Sequence, residues 1–153
     1  MKAADKLDML DDEIIRLLQE DSRMSYREIA KALDVSHVNV SSRIRAMEES
    51  GVIRGYTVVT DPDALECYPL CLRISASPGS DLSAIGSRVA DQGEVSMVMR
   101  VSGECELLAL AMCRDRQSAL ELLDRVSGIP GIEKAESHVV LEAVKLSGRK
   151  LKP

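Results

Sequence analysis

The side chains best suited to recognition chemistry lie close together between residues 36 and 54. They carry hydroxyl, amide, imidazole and guanidinium groups, which can hydrogen-bond to phosphate oxygens and to base edges. No acidic residue lies between 36 and 47, so this segment is locally positive within an acidic chain. The candidate contacts to double-stranded DNA are Ser36, His37, Asn39, Ser41, Ser42, Arg43, Arg45 and Arg54.

These groups need a helix to present them, and the spacing of apolar residues predicts one. Val40, Ile44 and Met47 recur at helical intervals as a buried stripe, and Ser36 is placed to be the N-cap. The short hydroxyls and Arg45 then lie on the opposite face. A recognition helix enters the major groove with its N-terminal residues toward the bases. The alternative, a solvated face on a helix that only packs, stays open at this point.

A preceding helix and a tight turn complete a helix-turn-helix pattern. Ser25 predicts an N-cap with Glu28 as its capping-box partner, and the turn falls at Asp34. Residues 52–59 are rich in β-forming side chains and predict a hairpin, or wing, after the helix that Ser36 caps. We therefore expect residues 1–60 to form a winged helix-turn-helix domain.

Residues 68–153 predict a second domain, after a linker at 61–67. Apolar alternation and helical spacing give the order β-α-β-β-α-β, which is the ferredoxin-like split motif, so the fold class is α+β. Two helices on one sheet face leave the other face uncovered, and we expect a second copy of the sheet to cover it. The predicted strands are 70–76, 95–101, 106–113 and 132–144.

The composition of the chain argues against several classes of function. The net charge of −5 counts mildly against DNA binding, and the lack of Trp and Phe argues against single-strand binding by aromatic stacking. The four cysteines form no CxxC pair, so we expect buried thiols and neither a metal site nor a cofactor. No apolar run approaches the roughly 20 residues that span a bilayer. We expect a cytoplasmic protein with no membrane contact.

The chain resembles the Lrp/AsnC, or feast/famine, family of prokaryotic transcriptional regulators over nearly its whole length. The N-terminal match is the more specific of the two halves, and the C-terminal half resembles the ligand-binding domain of the family. The residues that carry the resemblance are Leu33 to Ser36, Arg43 to Arg45, Met47 to Tyr56, Val95 to Glu106, Pro130 to Ile132 and Ser137 to Leu141.

The resemblance implies dimers formed through the C-terminal sheets, often assembled into octamers, and palindromic promoter sites. It also implies an amino acid or related metabolite as effector, bound near the hairpin with a Gly-x-x-Asp motif. This chain has Glu106 in place of the Asp of that motif, Ser137 in place of a Thr, and Asp34 in place of a Gly. The implied effector-binding residues are Gly103, Glu104, Cys105, Glu106 and Ser137.

Two other functions stay open on the sequence. Haem-pathway decarboxylases share this two-part architecture, so an enzyme of that type is one alternative. Against it, the only histidines are His37 and His138, and no nucleophile–base pair or phosphate loop is visible, so we expect no enzyme activity. The other alternative is a metabolite sensor of the same architecture that no longer binds DNA.

Overall fold

A computed structural model of the chain describes residues 7–146 and 149–150. The described residues form two compact units. The N-terminal unit contains residues up to 59 and the described C-terminal residues from 144 onward, and the C-terminal unit contains residues 60–143. The outer limits predicted for the two domains, residues 1 and 153, lie outside the described residues, and the linker at 61–67 stays a prediction.

The N-terminal unit is built on three helices, and side-chain caps fix where each begins. Asp8, Ser25 and Ser36 are the N-caps, and each accepts a hydrogen bond from a backbone N–H of the first turn. Glu28 closes the predicted capping box with Ser25. Asp34 ends the second helix with a left-handed φ of 54°, a conformation that Asp tolerates better than most residues. The helices are α1 (Met9–Glu20), α2 (Tyr26–Leu33) and α3 (His37–Glu49).

A small apolar core joins the three helices. α3 contributes Val40, Ile44 and Met47, the stripe predicted from the sequence, and all three are buried. Ile14 of α1 and Ile29 of α2 meet this stripe, and each is fully buried. Burial of one such side chain stabilises a fold by about 1.5–3 kcal/mol, so α3 is held firmly along one side.

The predicted wing hairpin is not formed, and this part of the prediction is wrong. Residues 52–59 contain no strand; α3 ends at Glu49, and Gly51, just beyond its C-cap Ser50, has a left-handed φ of 78°. The segment runs beside the C-terminal part of α1 and borders a groove of about 570 Å³. β-forming side chains favour an extended backbone, but a strand also needs a neighbour for its hydrogen bonds, and the described residues supply none here. Val58 is left 82% exposed.

The C-terminal unit has the predicted β-α-β-β-α-β order, and the α+β fold class is confirmed. Its elements form a four-stranded antiparallel sheet in the order β2-β3-β1-β4. The final strand ends at Val139, five residues before the predicted end at 144. The elements are β1 (Tyr68–Ala76), α4 (Leu82–Ala90), β2 (Val95–Arg100), β3 (Leu107–Cys113), α5 (Arg116–Ser127) and β4 (Ile132–Val139). A two-residue pair, β5 (Lys145–Leu146) and β6 (Arg149–Lys150), follows in the N-terminal unit.

The two faces of the sheet differ. Leu72 and Ala109, paired across β1 and β3, are fully buried beside Val89 of α4 and Leu122 of α5. The next residues along each strand lie on the other face, because side chains alternate. That face is apolar on the β2–β3 side, and neither helix of the C-terminal unit covers it: its apolar members are Met97, Met99, Leu108, Leu110 and Met112. Among the described residues, no helix is long and apolar enough to cross a membrane.

Candidate nucleic-acid interface

The outward face of α3 presents the predicted contact groups. His37, Ser42 and Arg45 are exposed, and their side chains make no hydrogen bond or ion pair with another described residue. Asn39, in the first turn, is also exposed. All four groups are therefore exposed on α3, and three of them are free to bind an external partner.

Two predicted serines are occupied by the helix itself. The hydroxyl oxygen of Ser36 accepts a hydrogen bond from the backbone N–H of Asn39 at 3.2 Å, so this residue serves as the N-cap. The hydroxyl of Ser41 donates to the carbonyl of Val38 at 3.0 Å, and its side chain is half-buried. Ser36 and Ser41 retain acceptor lone pairs, but each already makes a hydrogen bond within α3, whereas Ser42 makes none with another described residue.

Arg43 is bound within the protein. Its Nη1 lies 2.7 Å from Oδ2 of Asp8 and 2.8 Å from Oδ1 of Asp11. Its Nε donates to Oδ1 of Asn39 at 3.0 Å. These bonds tie the flank of α3 to the N-terminus of α1. The hydrogen bond from Arg43 is the main cause that lowers the pKa of Asp8, and Asp11 and Asp8 raise the pKa of Arg43 in return.

Arg54 lies apart from the outward face of α3. It is exposed and borders the groove between α1 and the extended segment 52–59. Nearby, the hydroxyl of Tyr56 donates to Oε1 of Glu48 at 2.9 Å, and this joins the segment to the end of α3. Partial burial and the Glu48 carboxylate raise the pKa of Tyr56 to about 12, so the phenol stays protonated as the donor.

Val38 is a candidate contact that the sequence-based selection left out. It is 63% exposed on the outward face of α3. Apolar groups at such positions contact the methyl group of thymine in the major groove. The signal was available in the sequence, because helical spacing places Val38 almost opposite the buried Val40.

The predicted effector loop lies between β2 and β3, against the end of β1. Gly103 has a φ of 126°, a conformation that L side chains rarely adopt, and this explains the glycine. The Glu104 carboxylate lies 2.7 Å from Nη2 of Arg73, and Cys105 is buried. Oε2 of Glu106 accepts a hydrogen bond from the backbone N–H of Ala76 at 3.0 Å, which fixes the loop to β1.

The structure does not bring Ser137 to this loop. Ser137 lies on β4 directly opposite Leu72, whose side chain faces the helices. Arg73 is the next residue of β1, so its side chain lies on the opposite face of the sheet from Ser137. Arg73 instead contacts the loop, through its ion pair with Glu104. Its hydrogen bond to Glu104 raises its pKa, so the guanidinium stays charged.

A helix-turn-helix with free polar groups, joined to a separate βαββαβ unit, defines the class of two-domain transcriptional regulators. Each of the two units matches a known protein family. The AsnC-type helix-turn-helix domain matches residues 7–48, and the Lrp/AsnC ligand binding domain matches residues 70–149. The chain belongs to the Lrp/AsnC family, and it is a transcriptional regulator of that type.

Individual relatives span almost the full chain. An uncharacterized HTH-type transcriptional regulator of Pyrococcus abyssi is 37% identical over 91% of this chain and 95% of its own length. The leucine-responsive regulatory protein of Klebsiella pneumoniae is 30% identical over 94% of this chain and 90% of its own length. The crystal structure of a Neisseria meningitidis transcriptional regulator in complex with L-Met has a similar fold. Its TM-score is 0.77 at 24% identity, with coverage of 95% of this chain and 96% of that one.

The Arg43 network generates a prediction about stability and pH. The pKa of Asp8 is held below its ordinary value of 3.8 in the folded protein. A carboxyl with a lowered pKa adds stability above its unfolded pKa, and that stability is lost as the pH falls through the folded value. Arg43→Ala should therefore lower the free energy of unfolding at pH 7, and its difference from wild type should shrink at pH 3.

Urea unfolding at both pH values measures this difference. Arg45→Ala is the matched control, because Arg45 has no described partner and its loss should leave stability within about 0.5 kcal/mol at either pH. An Arg43→Ala protein that is as stable as wild type at pH 7 would contradict the role assigned to the network.

Proposed function

We propose that this regulator binds duplex DNA in a sequence-specific manner by inserting α3 into the major groove. The observation that supports this most is the outward face of α3, where His37, Ser42 and Arg45 are exposed and have no side-chain partner in the described part of the chain. A helix that only packs would have no need for a cluster of short donors and acceptors at its first turns. Arg45 and Arg54 supply charge toward phosphate or base edges, whereas Arg43 acts inside the protein.

We also propose that the protein works as a homo-oligomer, at least a dimer, on palindromic sites. The apolar β2–β3 side of the open sheet face supports this, because such a surface is stabilised when a second copy covers it. A two-fold dimer presents two copies of α3, and a palindromic operator mirrors that symmetry. Assembly into an octamer is the extended form of the same proposal.

The proposed effector is an amino acid or a closely related metabolite. The names of two matching proteins support this class, one being leucine-responsive and the other solved with L-Met. In this chain, residues 103–106 form a loop that Glu106 fixes to β1 and that Arg73 approaches. We place the effector at this loop. Ser137 is a weaker candidate, since it lies on the other face of the sheet.

A regulatory role in the cytoplasm is favoured over catalysis. The relatives that match almost the whole chain carry the names of transcriptional regulators, and one family model covers each half. Neither of the alternatives raised by the sequence, a haem-pathway enzyme or a sensor without DNA binding, gains support from a specific observation. We propose that the protein is not an enzyme.

Loss of Arg45 should weaken DNA binding without loss of fold. A good arginine contact to guanine contributes about 1–3 kcal/mol of discrimination, so Arg45→Ala should bind a selected duplex about tenfold or more weakly. Fluorescence anisotropy at physiological salt measures the affinity, because weak nonspecific binding dominates at low salt. Arg116→Ala removes an equivalent charge from α5 and should bind as wild type does. Equal affinity for Arg45→Ala and wild type would contradict the assignment of α3.

A charge on the open sheet face should break the oligomer. Leu110 is half-buried between Cys71 and Met97 on that face, and burial of an unpaired carboxylate there is costly. Leu110→Asp should therefore shift the mass measured by light scattering toward the monomer. Leu120→Asp is the control, because Leu120 is 47% exposed on α5, away from this face. An unchanged mass for Leu110→Asp would show that the open face is not the interface.

Release of the loop should abolish the response to the effector. We expect one or more of the twenty amino acids to raise the melting temperature of the wild-type protein, because a ligand of the native state stabilises it. Glu106→Ala removes the acceptor for the N–H of Ala76 and should abolish this shift. Glu133→Ala, an exposed change on β4, should retain it. A full shift in the Glu106→Ala protein would place the effector elsewhere.

A further inference from the structure

The amide group of Asn39 has a defined orientation. Nε of Arg43 lies 3.0 Å from Oδ1 of Asn39, four residues earlier on the same helix. A guanidinium can donate hydrogen bonds but cannot accept them, so the amide atom that faces it must be the carbonyl oxygen. The NH2 group of Asn39 is then the end of the side chain that points away from Arg43.

The orientation is maintained by a chain of bonds that begins on another helix. Asp8 is the N-cap of α1, and its Oδ1 accepts hydrogen bonds from the backbone N–H groups of Leu10 and Asp11. Oδ2 of Asp8 and Oδ1 of Asp11 both bind Nη1 of Arg43, at 2.7 and 2.8 Å. Because the two carboxylates fix the guanidinium, the guanidinium can fix the amide.

This orientation restricts which base Asn39 can recognise. A bidentate contact of an amide with adenine needs the amide oxygen to accept from N6 while the NH2 group donates to N7. The oxygen of Asn39 is directed toward Arg43 and accepts a hydrogen bond from it, so the NH2 group, a donor, is the end of the amide left to face a base. Guanine presents two acceptors, N7 and O6, in the major groove, and it is the base that suits a donor.

We propose that Arg43 holds Asn39 as a hydrogen-bond donor, and that this donor selects guanine over adenine at one base pair of each half-site. Asn39 is the recognising residue and Arg43 is its positioning residue. Asn39 is exposed in the first turn of α3, the part of a recognition helix that reaches the bases. The inference rests on the proposed DNA binding through α3.

Selection from randomised duplexes at physiological salt tests the inference. The wild-type protein should enrich a site in which one base pair per half-site is guanine, and Asn39→Ala should reduce that preference by about tenfold. Arg43→Met keeps the apolar stem but removes the donor, and should shift the same position toward adenine. Arg43→Lys keeps a cationic donor and should retain guanine. Arg45→Ala should alter a different position or only the overall affinity.

Asn39→Asp keeps the test decisive if Arg43→Met fails to fold, as judged by circular dichroism. A carboxylate only accepts, so this surface variant should lose guanine and favour cytosine, whose N4 donates. Base preferences that are unchanged in Asn39→Ala and Asn39→Asp would overturn the role of Asn39. Guanine retained by a folded Arg43→Met protein would overturn the role of Arg43. A wild-type protein that selects no sequence would remove the proposed function itself, and this inference with it.

Discussion

The candidate DNA-binding surface depends on how α3 is attached, because a helix that reads DNA must leave most of its circumference free. Val40, Ile44 and Met47 attach it along one narrow stripe. A stripe of three side chains resists separation of the helices but restrains rotation of α3 about its own axis less well. Arg43, bonded at 2.7 and 2.8 Å to two carboxylates of α1, adds a restraint at the flank of the stripe. The exposed polar groups of α3 are therefore held at a fixed rotation about the helix axis.

The architecture of the C-terminal unit depends on a second constraint: the apolar faces of a sheet must be buried. α4 and α5 cover one face with a core centred on Leu72 and Leu122, and the other face keeps its methionines and leucines half-exposed. The open face, which would join two copies, is the face of the sheet opposite α4 and α5. The side chain of Arg73 lies on this open face, and the effector loop lies at one end of the same sheet. A change at residues 103–106 would act directly on β1, through Glu106 and Arg73, and β1 is a central strand of that sheet.

Much of this arrangement was predictable because its causes are local. The capping box of Ser25 with Glu28, the caps at Ser36 and Asp81, and the left-handed turn at Asp34 each depend on residues within a few positions. The open sheet face was also predictable, since two helices in a βαββαβ order cover only one side.

Features that depend on distant partners were not predictable from the sequence. The segment 52–59 has the composition of a strand, but its pairing is decided by neighbours that local propensity does not describe. The sequence placed Arg43 beside the buried stripe, yet its partners Asp8 and Asp11 lie more than 30 residues away along the chain. The chain's resemblance to its family suggested Ser137 as an effector residue, and only the strand register places it opposite Leu72, away from the loop.

Recovery of bound fragments from the genomic DNA of its own organism is the sharpest test of whether this regulator recognises specific DNA sequences. The purified protein would be mixed with sheared DNA at physiological salt, with and without amino acids, and the retained fragments sequenced, because nonspecific phosphate binding falls as salt rises. The expected result is the enrichment of a few promoter regions that share a palindrome. A folded, oligomeric protein that enriches no common sequence under any of these conditions would contradict it.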